Sequence, residues 1–209
     1  MNQAPTKQFS EVYWELCNFI EENDRFPRKS DPATELYDQL NAYRELYAAG
    51  KLPKQDAAQL AHIKGWEWDK RRAAFSERTD EFVEFFAANG EAPSQIHPTA
   101  GSLGRWVGSM ICRYNDGTLK DWQTSALERT PGWAWDLRKA RFERRIGQLK
   151  NHHALFGCIR NKDLGPELKG WIANRRSEYR AGKLTDGQVA WIETIPGWTW
   201  GRLAEKGDA

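Results

Sequence analysis

Gly65-Trp66-Glu67-Trp68 returns as Gly132-Trp133-Ala134-Trp135 and again as Gly197-Trp198-Thr199-Trp200, at spacings of 67 and 65 residues. Fifteen residues before each of these glycines stands another, Gly50, Gly117 and Gly182, followed two places later by Leu52, Leu119 and Leu184. Recurrence this regular marks an internal repeat, and it decides the fold before any local propensity does. A unit of about 67 residues is too long for the common short solenoid repeats and suits a minimal three-helix domain. The reading is therefore all-α: three tandem three-helix bundles over residues 1–68, 69–135 and 136–203.

Units this small have marginal cores and need large side chains to fill them. The 11 Trp and 9 Phe of the chain meet that need. Each unit opens on an aromatic helical pattern: Phe9, Val12, Tyr13, Leu16, Phe19 and Ile20 in the first, Phe75, Phe82, Phe85 and Phe86 in the second, Phe142, Ile146 and Leu149 in the third. Asn89-Gly90 and Phe156-Gly157 supply helix terminators, so these helices should stop near Asn23, Asn89 and Phe156. After a proline-bearing loop, second helices begin at Leu36, Leu103 and Leu168. Their apolar stripes reach Tyr47, Tyr114 and Tyr179, and Gly50, Gly117 and Gly182 end them. In the third helices the apolar positions are Leu60, Leu127 and Ile192. Thr185-x-x-Gln188 forms a capping box, and Pro131 and Pro196 turn the chain just before the repeated glycine.

Several function classes are excluded. No run approaches the roughly 18 apolar residues of a membrane span, and Met1 to Ser10 lacks an apolar leader core, so a cytoplasmic protein is expected. Cys17, Cys112 and Cys158 are scattered, without C-x-x-C spacing, and argue against both a disulfide framework and a zinc site with His152 and His153. No nucleophile–base arrangement can be argued from spacing, so no enzyme, cofactor or small-molecule substrate is expected.

The net charge of +2 is unevenly spread. Residues 1–68 hold eight Lys and Arg against eleven Asp and Glu, 69–135 eight against nine, and 136–209 fifteen against nine. A basic third unit suggests an anionic partner. On its second helix Lys169, Arg176, Arg180 and Lys183 stand at offsets of 0, 7, 11 and 14, along one helical face. The same face of the first unit carries Arg44 and Lys51. Arg141, Arg144 and Arg145 form a further basic run with Arg138 and Lys139. Such arrays suit phosphate contacts; the plainer alternative is a solvated surface. The repeated tryptophans are expected in the core rather than on bases; Trp14, Trp122 and Trp191 are expected either exposed or packed between units. The third helices are neutral or acidic and make poor recognition helices.

Leu103-Gly104-Arg105-Trp106-Val107, with Tyr114, Gly117, Leu119, Leu127 and Pro131-Gly132-Trp133-Ala134-Trp135, resembles the helicase-associated domain. The third unit is similar through Leu168, Trp171, Ile172, Arg176, Tyr179, Gly182, Leu184 and Gly197-Trp198-Thr199-Trp200. The first unit diverges most, with Tyr37 and Gln39 where the family usually shows glycine and tryptophan. The resemblance implies three-helix units that bind nucleic acid. The family's Gln-Arg pair falls on Tyr43-Arg44, Met110-Ile111 and Arg175-Arg176, so the middle unit lacks the arginine. No helicase motor is present, because no G-x-x-x-x-G-K-[ST] loop occurs. The expected function is non-catalytic binding of nucleic acid, DNA before RNA, led by the third unit. The alternative is a module that docks a protein partner through acidic or aromatic surfaces.

Overall fold

The computed structural model describes residues 7–32, 34–159 and 164–201. Among the described residues the chain is all α, with nine helices and no strand. It divides into two compact units, Met1–Trp133 and Ala134–Ala209.

The first unit holds α1 (Phe9–Asn23), α2 (Thr34–Ala48), α3 (Lys54–His62), α4 (Lys70–Asn89), α5 (Gly101–Asn115) and α6 (Asp121–Glu128). The second holds α7 (Leu137–Phe156), α8 (Pro166–Arg180) and α9 (Asp186–Glu193). The first-helix stops fall where the sequence places them, at Asn23, Asn89 and Phe156. α4 and α7 begin at Lys70 and Leu137, just after the repeated Trp68 and Trp135. The cause is a cap directly after each Trp-x-Trp. Asp69 accepts hydrogen bonds from the main-chain N–H groups of Arg71 and Arg72, and Asp136 accepts those of Arg138 and Lys139.

The ends of α2, α5 and α8 share one hydrogen-bond pattern. Gly50, Gly117 and Gly182 sit at φ of 67°, 67° and 63°. Each donates its N–H to the tyrosine carbonyl three residues back, and the next residue reaches five back: Lys51 to Leu46, Thr118 to Arg113, Lys183 to Glu178. This is the Schellman motif, which only a residue tolerant of left-handed backbone can close.

Val12, Leu16, Leu36, Leu40, Tyr43 and Leu60 from α1, α2 and α3 form one buried cluster, with Trp66 and Trp68 packed against it. In the second unit Ile146, Leu149, Ile159, Leu164, Ile172, Ile192 and Ile195 form another, faced by Phe142, Trp171, Trp191, Trp198 and Trp200. Between the two in sequence, buried Phe75 of α4 meets Trp106 of α5 at 5.8 Å and Trp122 of α6 at 5.0 Å. Trp122 and Trp191 are therefore packing residues rather than exposed ones. Trp191 meets Phe142 at 5.9 Å, whereas Trp14 is 68% exposed. An indole is large enough to reach a neighbouring helix from the rim of a core stripe, which an offset count does not register.

Candidate nucleic-acid interface

The repeated glycines make tight turns. Trp66, Trp133 and Trp198 donate their main-chain N–H to Ile63, Thr130 and Ile195, closing four-residue turns with Gly65, Gly132 and Gly197 at φ of 85°, 79° and 73°. Proline before glycine in two of the three, with positive φ at the glycine, is the type II pattern. The turn folds both indoles back. Trp66 and Trp68 meet edge-on at 5.3 Å and 82°, and Trp198 and Trp200 repeat this at 5.4 Å and 83°.

An arginine from the second helix secures two of these turns. Arg44 donates Nε–H to the carbonyl of Glu67 at 2.8 Å and Nη1–H to Asn41 Oδ1 at 3.1 Å, with Cζ 4.4 Å from the Trp66 ring. Arg176 donates Nε–H to the carbonyl of Thr199 at 2.9 Å, with Cζ 5.3 Å from the Trp198 ring. Arg44 is only 6% exposed and Arg176 is half-buried. Burial lowers the pKa of both guanidinium groups from the ordinary arginine value. A desolvated guanidinium engaged with its own main chain has little left to offer a phosphate. At the matching position of α5 stands Ile111, which can make no such bond.

The other cations nominated by the sequence separate by environment. Lys51 and Lys183 are exposed, but each lies beyond its helix, across the Gly50 or Gly182 turn, so they do not extend the helical faces of Arg44 and Arg180. Arg175 is half-buried, donates to Glu178 at 2.8 Å and lies 5.8 Å from the Trp171 ring. Arg145 pairs with Glu167 at 2.9 Å. Arg144 and Lys169 are half-buried, and Arg141 and Arg180 are exposed. Among the described residues of the second unit Arg138, Lys139, Arg141, Arg180 and Lys183 are exposed and form no ion pair.

Spacing puts Tyr47, Tyr114 and Tyr179 on apolar stripes, yet they are 46%, 40% and 41% exposed. They sit in the last helical turn, where the stripe runs past the end of the core. Tyr47 stacks on Trp68 at 3.9 Å and 17°, and Tyr179 on Trp200 at 3.9 Å and 11°. The signal in the sequence is the tyrosine hydroxyl kept three residues before each Schellman glycine, where a core position would accept leucine.

The first unit carries a different electrostatic feature. Arg28, 8% exposed, forms a two-pronged ion pair with Glu84 of α4, at 2.9 and 2.7 Å. The Arg28 hydrogen bond holds the Glu84 carboxyl below its ordinary pKa. On the same helix, burial pushes the Glu77 and Asp80 carboxyls up. Cys17, Cys112 and Cys158 are free thiols. Among the described residues no group of three or more His, Cys, Asp or Glu is placed to hold a metal ion, and no helix is long and apolar enough to cross a membrane. No family model, no curated protein and no solved structure matches the chain.

Proposed function

We propose that this chain is a non-catalytic DNA-binding protein built from three tandem three-helix bundles, in which the residues from 136 onward lead the contact with phosphate. The observation that carries the reading is the charge of this segment, fifteen Lys and Arg against nine Asp and Glu. Its open cations Arg138, Lys139 and Arg141 on α7, with Arg180 at the end of α8 and Lys183 beyond the Gly182 turn, are the phosphate ligands. Contacts of this kind set affinity and register without reading sequence. The resemblance of the Gly-Trp-x-Trp units to helicase-associated domains supports the same direction. Arg44 and Arg176 serve the fold of their turns instead.

The test is binding of the whole chain to duplex and single-stranded DNA across a salt series. Affinity should fall steeply with salt, because each neutralised phosphate releases condensed counterion. Changing Arg138, Arg141 and Arg180 together to Ala should shallow the log–log slope by about three, roughly one per phosphate no longer contacted. Absence of binding at low salt, or a slope indifferent to these residues, removes the reading. One observation favours a protein partner instead: Trp14, 68% exposed on α1 among Glu11, Glu15 and Glu21. Salt-insensitive binding of a protein that is lost in Trp14→Ala would support that second reading.

A further inference from the structure

We infer that Tyr47 and Tyr179 are stacking platforms for unpaired bases, which makes the ligand single-stranded DNA. This rests on the nucleic-acid reading above and adds the form of the ligand to it. A tyrosine side chain alone on a helix surface explores several rotamers, and fixing one costs affinity. These two are already fixed. The Trp200 indole lies parallel to Tyr179 at 3.9 Å, stands edge-on to Trp198 at 5.4 Å, and donates Nε1–H to Glu193 at 2.8 Å. Trp68 holds Tyr47 in the same parallel geometry at 3.9 Å and meets Trp66 edge-on at 5.3 Å. With an indole behind each ring, Tyr47 and Tyr179 still remain 46% and 41% exposed.

The surroundings match a strand rather than an apolar partner. Lys51 and Lys183 follow the tyrosines by four residues across the Schellman turn, both exposed and both without an ion pair among the described residues. An aromatic face beside an open cation is the combination that takes a base and its phosphate together. In a duplex the base faces are occupied by their neighbours in the stack, so such a platform has nothing to hold. Among the described residues Trp14, 68% exposed, has no ring contact, and Phe156, 61% exposed, has a tilted contact with His152 rather than a parallel indole behind it.

The experiment uses the full chain with three ligands of about 15 units, a length within the span of known single-strand sites. These are oligo-dT, an abasic strand with the same phosphates, and a duplex. Oligo-dT should bind at least roughly ten-fold more tightly than the abasic strand, the scale of a stacked base. The double variant Tyr47→Leu, Tyr179→Leu should close that gap while keeping the salt slope, and Tyr47→Phe, Tyr179→Phe should restore it, since the ring and not the hydroxyl stacks. Equal affinity of wild type for oligo-dT and the abasic strand overturns the inference without any variant having to fold. Tighter binding to duplex than to oligo-dT overturns it as well. Failure to bind all three ligands at low salt overturns the DNA reading itself, a separate result.

Discussion

The Nε–H of Arg176 is donated to the main-chain carbonyl of Thr199 at 2.9 Å, the same bond that Arg44 makes to Glu67 at 2.8 Å. By spacing alone Arg176 belongs to a phosphate-binding face, and exchanging it with Arg180 for Ala should leave folding untouched. The geometry reverses that expectation. Arg44→Ala should cost about 2–4 kcal/mol, because it removes a charge-assisted hydrogen bond and a cation–π interaction from a buried place. Arg176→Ala, in a wetter site, should cost about 1–2 kcal/mol. Arg180→Ala should be neutral within about 0.5 kcal/mol. Denaturant titration of the three variants checks this; equal stability of Arg44→Ala and Arg180→Ala would show that the bond is ornamental.

The tryptophan of the turn should be structural. Trp133 packs on Phe82 at 5.2 Å and on Trp106 at 5.9 Å. Trp133→Ala is expected to cost about 3–5 kcal/mol, the range for removing a well-packed large aromatic. Trp14→Ala, on the exposed face of α1, should change stability by less than about 0.5 kcal/mol. Thermal unfolding of both proteins compares them, and a Trp133 variant melting with wild type would refute the assignment.

Glycines of the two turn types should respond differently to one methyl group. At Gly182, φ is 63° and an added Cβ meets nothing within 4 Å, so Gly182→Ala should cost only the left-handed strain, about 1–2 kcal/mol. At Gly132, φ is 79° and the same Cβ would lie 2.4 Å from the Phe86 ring. Gly132→Ala adds overpacking to the strain and should cost about 2–5 kcal/mol. Reading both against Gly132→Ala combined with Phe86→Ala isolates the clash. If Gly132→Ala costs as much in the Phe86→Ala background as in wild type, the ring is not the cause.

Acid should erase the contribution of Glu84. Its hydrogen bond from Arg28 lowers its pKa below the ordinary 4.5, so the stabilisation is complete above that value and is lost as pH falls through the lowered one. With Glu84 more than half exposed and Arg28 buried, Glu84→Gln should cost about 1 kcal/mol near neutral pH. The gap from wild type should close in acid. Glu77 and Asp80, whose pKa values burial raises, lose stability as pH rises instead. Both are present in either protein, and the Glu84 charge itself contributes to the rise at Asp80, so Glu84→Gln also eases that loss. A gap that persists below the lowered pKa of Glu84 would mean that shape, not charge, is what Gln disturbs.

Much of this was legible in the residues because it is set over short distances. Helix stops at Asn23, Asn89 and Phe156, the Schellman glycines and the Thr185–Gln188 capping box all depend on a few adjacent residues and their backbone preferences. The starts of α4 and α7, capped by Asp69 and Asp136, are equally local. What spacing could not decide is where each side chain on the rim of an apolar stripe comes to rest. Arg44 turns inward because a carbonyl 23 residues along the chain waits beside an indole. Tyr179 stacks on Trp200, 21 positions on, and still remains 41% exposed. Offsets along one helix specify a face. Whether that face meets water, a carbonyl or an indole is set by the turn that folds back over it, and only the tertiary structure brings that turn into place.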